Sequence, residues 1–162
     1  PGTRIVAEAG GETGAPRALA FKKGLHVVLI REPRMLGAHG FLARVFEIFA
    51  RHRTSVDLIS TSEVSVSLTV DDPSALPGIE RDLRELGDVQ ILPAMAIVSV
   101  VGRGFSRQSG LAARVFGALR DVNIVMISFG ASDVNVSFVV AEADAIPAVR
   151  ALHATFFEAG AA

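Results

Sequence analysis

Cysteine is absent from the 162 residues. That excludes a disulfide framework and any thiolate chemistry, and points to a reducing, cytoplasmic setting. Lys and Arg number 16 against 17 Asp and Glu, a formal net charge of -1, so no basic stripe suits a nucleic-acid backbone. No apolar run approaches the roughly 20 residues that a membrane helix needs, and no signal peptide is visible. His26, His39, His52 and His153 show no metal-ligand spacing. No nucleophile–base constellation emerges, so catalysis is not expected of this chain. Gly102-Arg103-Gly104-Phe105 lacks the spacing of a phosphate loop and is read as a strand-to-helix turn. Hydrophobic residues make up 50% of the sequence, enough to build a core.

What is present is a duplication. GFLARVFEIFARHRTSVDLISTSEVSVSLTV (40–70) recurs without a gap as GLAARVFGALRDVNIVMISFGASDVNVSFVV (110–140), an offset of 70 residues. Ala43-Arg44-Val45-Phe46 and Ala113-Arg114-Val115-Phe116 are identical. The period is too long for a solenoid unit and fits a small duplicated domain. Where the copies agree, the fold explains the residue. Where they differ in polar residues, function becomes a candidate. Arg44 and Arg114 are shared and are therefore assigned a structural or dimer role.

Each copy predicts the same order of elements. Residues 25–31 (LHVVLIR) and 95–101 (MAIVSVV) are short, β-branched apolar runs, hence strands. Phe41, Leu42, Val45, Phe46, Ile48 and Phe49 mark one helical face, as do Leu111, Val115, Phe116 and Leu119. Residues 56–60 and 124–129 read as strands. Val64, Val66, Leu68 and Val70 alternate with Ser65, Ser67 and Thr69, a sheet with one buried face. A second helix follows, faced by Ile79, Leu83 and Leu86 and capped by Gly87, or by Ile146, Val149, Leu152 and Phe156. Copy one adds a strand at 89–92, for which copy two has no C-terminal counterpart. RALAFKK (17–23) lies at the matching repeat offset, so Leu19 and Phe21 are expected to complete the second sheet. The fold class is α+β: tandem ferredoxin-like βαββαβ units, the first inserted into the second. The expected division is a linker at 1–16, a first unit at 25–93, and a second at 17–24 plus 94–158. The abrupt opening at Pro1 and the turn-prone GGETGAPRA (10–18) read as a piece of a longer protein joined by that linker.

Two such units carrying MLGAHGFLARVF, SVDLISTSEVSVSLTVD and ISFGASDVNVSFVV resemble the regulatory ACT-domain pair of aspartate kinases, most of all the lysine-sensitive type. PGTRI at the start is similar to the end of that family's kinase domain. The resemblance implies an allosteric region that binds L-lysine and mediates feedback inhibition of the aspartate-family amino-acid pathway. It implies no cofactor for this region. The parent enzyme, an ATP-dependent phosphotransferase acting on L-aspartate, would use ATP and Mg. It also implies a homodimer through the first ACT domain, with lysine at the interface. The alternatives are a threonine-sensing pair and a ligand-free dimerisation module.

Free lysine needs one anion site and two acceptors for its ammonium groups. The turn 35–41 (MLGAHGF), with Gly40 before the first helix, can aim the amides of Phe41 and Leu42 at a carboxylate. Asp57, within an otherwise apolar strand, and Glu63, beside Ser62 at the next turn, supply two carboxylates. At the repeat offset Asp57 becomes Ile127, Ser55 becomes Val125 and Glu63 becomes Asp133, so copy one is the candidate binder. The resemblance implies effector contacts at Met35, Phe41, Leu42, Ser55, Val56, Asp57, Ser62 and Glu63. Ala38 stands where the family often has Ser, so one hydroxyl contact is missing. The plainer readings are a strand-end cap for Asp57, a solvated turn residue for Glu63, and a backbone-bonding turn hydroxyl for Ser62, which matches Ser132.

Overall fold

The structure is a computed structural model that describes residues 15–158 except Leu36, Ala131 and Ser132. Residues 1–14 of the expected linker, and the repeat mate of Ser62, lie outside the described residues. The chain order is β1 (Pro16–Arg31), α1 (Phe41–Arg51), β2 (Ile59–Thr61), β3 (Ser65–Val70), α2 (Leu76–Leu83), β4 (Asp88–Gly102), α3 (Leu111–Ala118), β5 (Ile124–Ser128), β6 (Asn135–Ala141) and α4 (Ala145–His153). Pro16, assigned to the linker from sequence, is instead the first residue of β1. All strands join one antiparallel six-stranded sheet in the order β2-β3-β1-β4-β6-β5.

Two strands serve both copies. The C-terminal half of β1 pairs with β3 (His26↔Val70 to Arg31↔Ser65) and with the start of β4 (Val27↔Leu92 to Arg31↔Asp88). Its N-terminal half pairs with the far end of β4, Leu19 opposite Val100 and Phe21 opposite Val98. The segment before copy one therefore completes the sheet of copy two, and the first unit is inserted into the second. Leu19 packs on the second core, whereas Phe21 is 47% exposed.

The register shifts where β1 and β4 pass from one unit to the other, between Lys22 and Val27. Gly24 there has φ 77 and Ala94 of β4 has φ 54, conformations that break a regular ladder. A bulge reverses which residues face which side. In β4, Val89 and Ile91 face the first helical core, while Ala96, Val98 and Val100 face the second. The helix-free faces of both units thus share a third cluster of Leu25, Val27, Met95, Met126 and Val139, with Leu58, Leu92, Ile97 and Val125 at its margin. The sheet curls into a half-barrel around it, and the edge strands β2 and β5 touch.

That curl corrects the expectation of one buried face. Ser67, Thr69 and Ser137 are buried as well as the valines that alternate with them. Thr69 Oγ1 accepts the Leu58 N–H at 2.9 Å, and Ser137 Oγ pairs with Ser99 Oγ at 2.8 Å, so these polar atoms are satisfied. Val64, counted with the strand, lies outside β3 and is 44% exposed.

Other local expectations shift as well. α1 buries Phe41, Val45, Ile48 and Phe49 but leaves Leu42 and Phe46 exposed. It ends with Arg53 at φ 52. Arg53 N–H bonds Ala50 O and Thr54 N–H bonds Phe49 O, both at 3.0 Å, a Schellman closure without glycine. α4 presents Ala145, Ala148 and Leu152 to the core, with Ile146 and Val149 at the flank. Gly87 is not a left-handed cap. A Cβ there would stand 2.6 Å from the Arg31 carbonyl oxygen, so close approach of β1 is what demands glycine. Gly87→Ala is expected to cost about 1–3 kcal/mol by forcing that backbone apart. Urea unfolding checks it, and an unchanged midpoint would remove the argument.

Candidate functional site

The sequence-predicted residues fall on three connections of the first unit and on the first turn of α1. Met35 closes a 3-10 turn (Pro33–Met35) and packs on the first core. The Ala38 N–H bonds Met35 O at 3.0 Å, which steers the chain toward the helix. Gly40, at φ 78, opens α1 without a side-chain cap. The amides of Phe41 and Leu42 are therefore left to solvent or a ligand at the positive end of the helix. Phe41 is buried beneath the Arg44 guanidinium, 6.0 Å from its ring centroid, and Leu42 is 39% exposed. Arg114, the repeat mate of Arg44, lies 4.6 Å from the Phe156 ring, in keeping with a structural role.

Ser55, Val56 and Asp57 lie in the connection from α1 to β2, not within a strand. The ladder stops short because Thr69 uses its side chain as well as its backbone here. Its carbonyl accepts the Asp57 N–H at 3.0 Å, while its hydroxyl takes the Leu58 N–H. The result places Asp57 at the rim of the curled sheet. Ser62 and Glu63 occupy the exposed β2–β3 turn. Ser62 is held structurally: its Oγ bonds Ser65 Oγ at 2.7 Å and accepts the Val64 N–H at 3.3 Å.

One part of the site escaped the sequence reading. Lys22, from the second-unit half of β1, donates to Asp57 Oδ2 at 3.1 Å and also to Asp71 Oδ2. Hydrogen bonds to Asp71 first, and to Asp57 second, raise the Lys22 ammonium above its ordinary value. The same bond from Lys22 is the main cause holding the Asp71 carboxyl below the usual range. A signal was present in the repeat. Lys22, Asp57 and Asp71 correspond at the repeat offset to Leu92, Ile127 and Ala141, so the repeat-related trio carries no charge.

Within one chain four of the predicted residues line two separate depressions. Asp57 and Ser55 line a cleft of about 450 Å³ with Arg53, Asp71 and Asp72. Ala38 and Phe41 line another, with Glu32, Arg34 and Arg44. A wider groove between α1 and α2 contains Arg51, Asp82 and Glu85 but none of the predicted residues. Among the described residues no group of three or more His, Asp or Glu is placed to hold a metal ion, and no helix is long and apolar enough to cross a membrane. The chemistry on offer is recognition of charge: carboxylates for ammonium groups and helix-end amides for an anion.

The sequence matches the ACT domain family over residues 33–80 and 98–156. An aspartate kinase of Gibberella fujikuroi is 42% identical over 148 residues, 88% of this chain and 29% of that protein. This chain therefore spans less than a third of that curated relative. The crystal structure of Escherichia coli aspartokinase III in complex with lysine and aspartate is similar at TM-score 0.82 and 38% identity, covering 92% of this chain and 35% of that one. The ligand-free regulatory subunit of aspartate kinase from Thermus thermophilus is similar at TM-score 0.75 and 28% identity, covering 88% of this chain and 99% of that subunit.

The ion pairs carry a pH signature. Asp71 is depressed mainly by Lys22, and Asp82 mainly by its 2.9 Å hydrogen bond with His52. A carboxyl lowered in the folded state contributes stability that is present above its unfolded pKa of about 4 and lost as pH falls through the folded value. Urea midpoints are expected to begin dropping at roughly pH 5, just above that unfolded pKa, and to keep falling as pH passes through the lower folded values. The drop should be shallower in the double variant Asp71→Asn, Asp82→Asn. Equal slopes would show that neither pair matters.

Proposed function

Because this chain belongs to the ACT-domain family, we propose that it is the regulatory region of an aspartate kinase whose first ACT unit binds L-lysine as feedback inhibitor. The observation that carries this reading is that Asp57 already holds an ammonium group, at a position where the second copy has Ile127. An amino-acid effector presents the same group. Glu63, exposed in the adjoining turn, offers an acceptor for the second ammonium of lysine. The uncapped start of α1, at Phe41 and Leu42, suits the effector carboxylate. The E. coli enzyme that this chain resembles has been crystallised with lysine, which supports the ligand class.

The separation of Ala38 and Phe41 from Ser55 and Asp57 into different depressions favours a site completed by a second copy. Two first ACT units would pair so that the helix end of one chain faces the acidic loop of its partner. Lysine would then bind one arrangement of the dimer better than another. That differential affinity is what biases the attached kinase toward its inactive form. This chain's part is regulatory, and phosphoryl transfer to L-aspartate, with ATP and Mg, belongs to the remainder of the parent protein.

Calorimetric titration with lysine and threonine tests the reading. Wild type should bind lysine. Asp57→Ala should lose about 2–5 kcal/mol of binding, more than tenfold in affinity, because an ammonium group is left without its anion. Glu63→Gln should weaken lysine and leave threonine unaffected, since threonine has no second ammonium. Binding of threonine alone would change the ligand, and unaltered lysine binding by Asp57→Ala would overturn the site. Sedimentation equilibrium at the mass of one chain would remove the shared interface.

A further inference from the structure

Resting on that amino-acid-binding reading, we propose that Lys22 is a built-in competitor for the effector's ammonium group: it holds Asp57 in the unliganded protein and retreats to Asp71 when an effector binds. Its position is unusual. Lys22 stands in the half of β1 that pairs with Ile97 in the second unit, yet its ammonium reaches carboxylates of the first. It sits just before the bulge at Gly24, where the strand crosses from one unit to the other.

The cluster is arranged for exchange. Lys22, Asp57 and Asp71 have side chains 51%, 34% and 49% exposed, so water screens the pairs and no backbone need move for the ammonium to leave. One ammonium faces two carboxylates, which leaves a negative charge in excess to attract a cationic guest. An ammonium guest drawn to Asp57 is repelled by the Lys22 ammonium already on Oδ2, so it binds that carboxylate more tightly as Lys22 gives it up. Asp71 provides the resting place, since Lys22 already bonds it. The fold does not require the trio, because at the repeat-related place the same sheet is built with Leu92, Ile127 and Ala141.

Lys22 therefore sets effector affinity without touching the effector. Removing it should help binding, whereas removing Asp71 should hinder binding by confining Lys22 to Asp57. The test is calorimetric titration of the 162-residue chain with lysine, using wild type, Lys22→Met, Asp71→Asn and the double variant, with thermal unfolding to verify the fold. Lys22→Met should bind lysine about two- to fivefold more tightly, the range that an exposed ion pair commands. Asp71→Asn should weaken binding by a similar factor in wild type and have no effect in the Lys22→Met background. Unchanged or weaker binding by Lys22→Met overturns the proposal. So does an Asp71→Asn effect that persists without Lys22, because Asp71 would then act on the effector directly. A wild type silent to both lysine and threonine defeats the functional reading itself, and this inference with it. Failure confined to the variants defeats only the role of Lys22.

Discussion

The antiparallel pairing of β1 with β4, from Pro16 opposite Gly102 to Arg31 opposite Asp88, is the contact on which the remaining structure depends. Each strand enters both units, so neither four-stranded arrangement is complete without its partner copy. Backbone N–H and C=O groups inside a sheet must be paired, and the ladder along this ribbon satisfies them for both halves at once. The inserted topology follows: the chain must lay down one strand of the second sheet before it builds the first. The same ribbon carries Lys22 to the carboxylates of the other unit.

The bulges on that ribbon decide where the helices lie. Had β1 and β4 kept strict alternation, the two helical layers would fall on opposite faces. The shifts at Gly24 and Ala94 reverse the alternation and leave one common helix-free face. That face is apolar enough, through Leu25, Val27, Met95, Met126 and Val139, to close on itself. Its closure buries Thr69, whose hydroxyl then takes the Leu58 amide and ends the regular ladder just beyond Asp57. The placement of the candidate site is thus a consequence of how the sheet curls.

The duplication made much of this legible. Matching periodicities at 40–70 and 110–140 identified the helices and strands, because burial of one face imposes the same spacing in both copies. Repeat arithmetic alone placed Leu19 opposite the second sheet, and the same arithmetic flagged Asp57 against Ile127. It held the signal for Lys22 and Asp71 too, yet only a fold shows that residues separated by 49 positions meet. Gly87 was misread for a related reason. A glycine after a helical run suggests a cap, while its real neighbour, the Arg31 carbonyl, lies on a distant strand.

Sequence alone determined the two βαββαβ units, the insertion of one in the other, and the residues that differ between the copies. These rest on local periodicity and on comparison of like with like. Tertiary structure decided that both faces of β3 and β6 are buried, that Ala38 and Phe41 line a different depression from Ser55 and Asp57, and that Asp57 already has an ammonium partner. Those outcomes depend on bulges and curvature, set by the summed packing of distant side chains, and no window of sequence contains that sum.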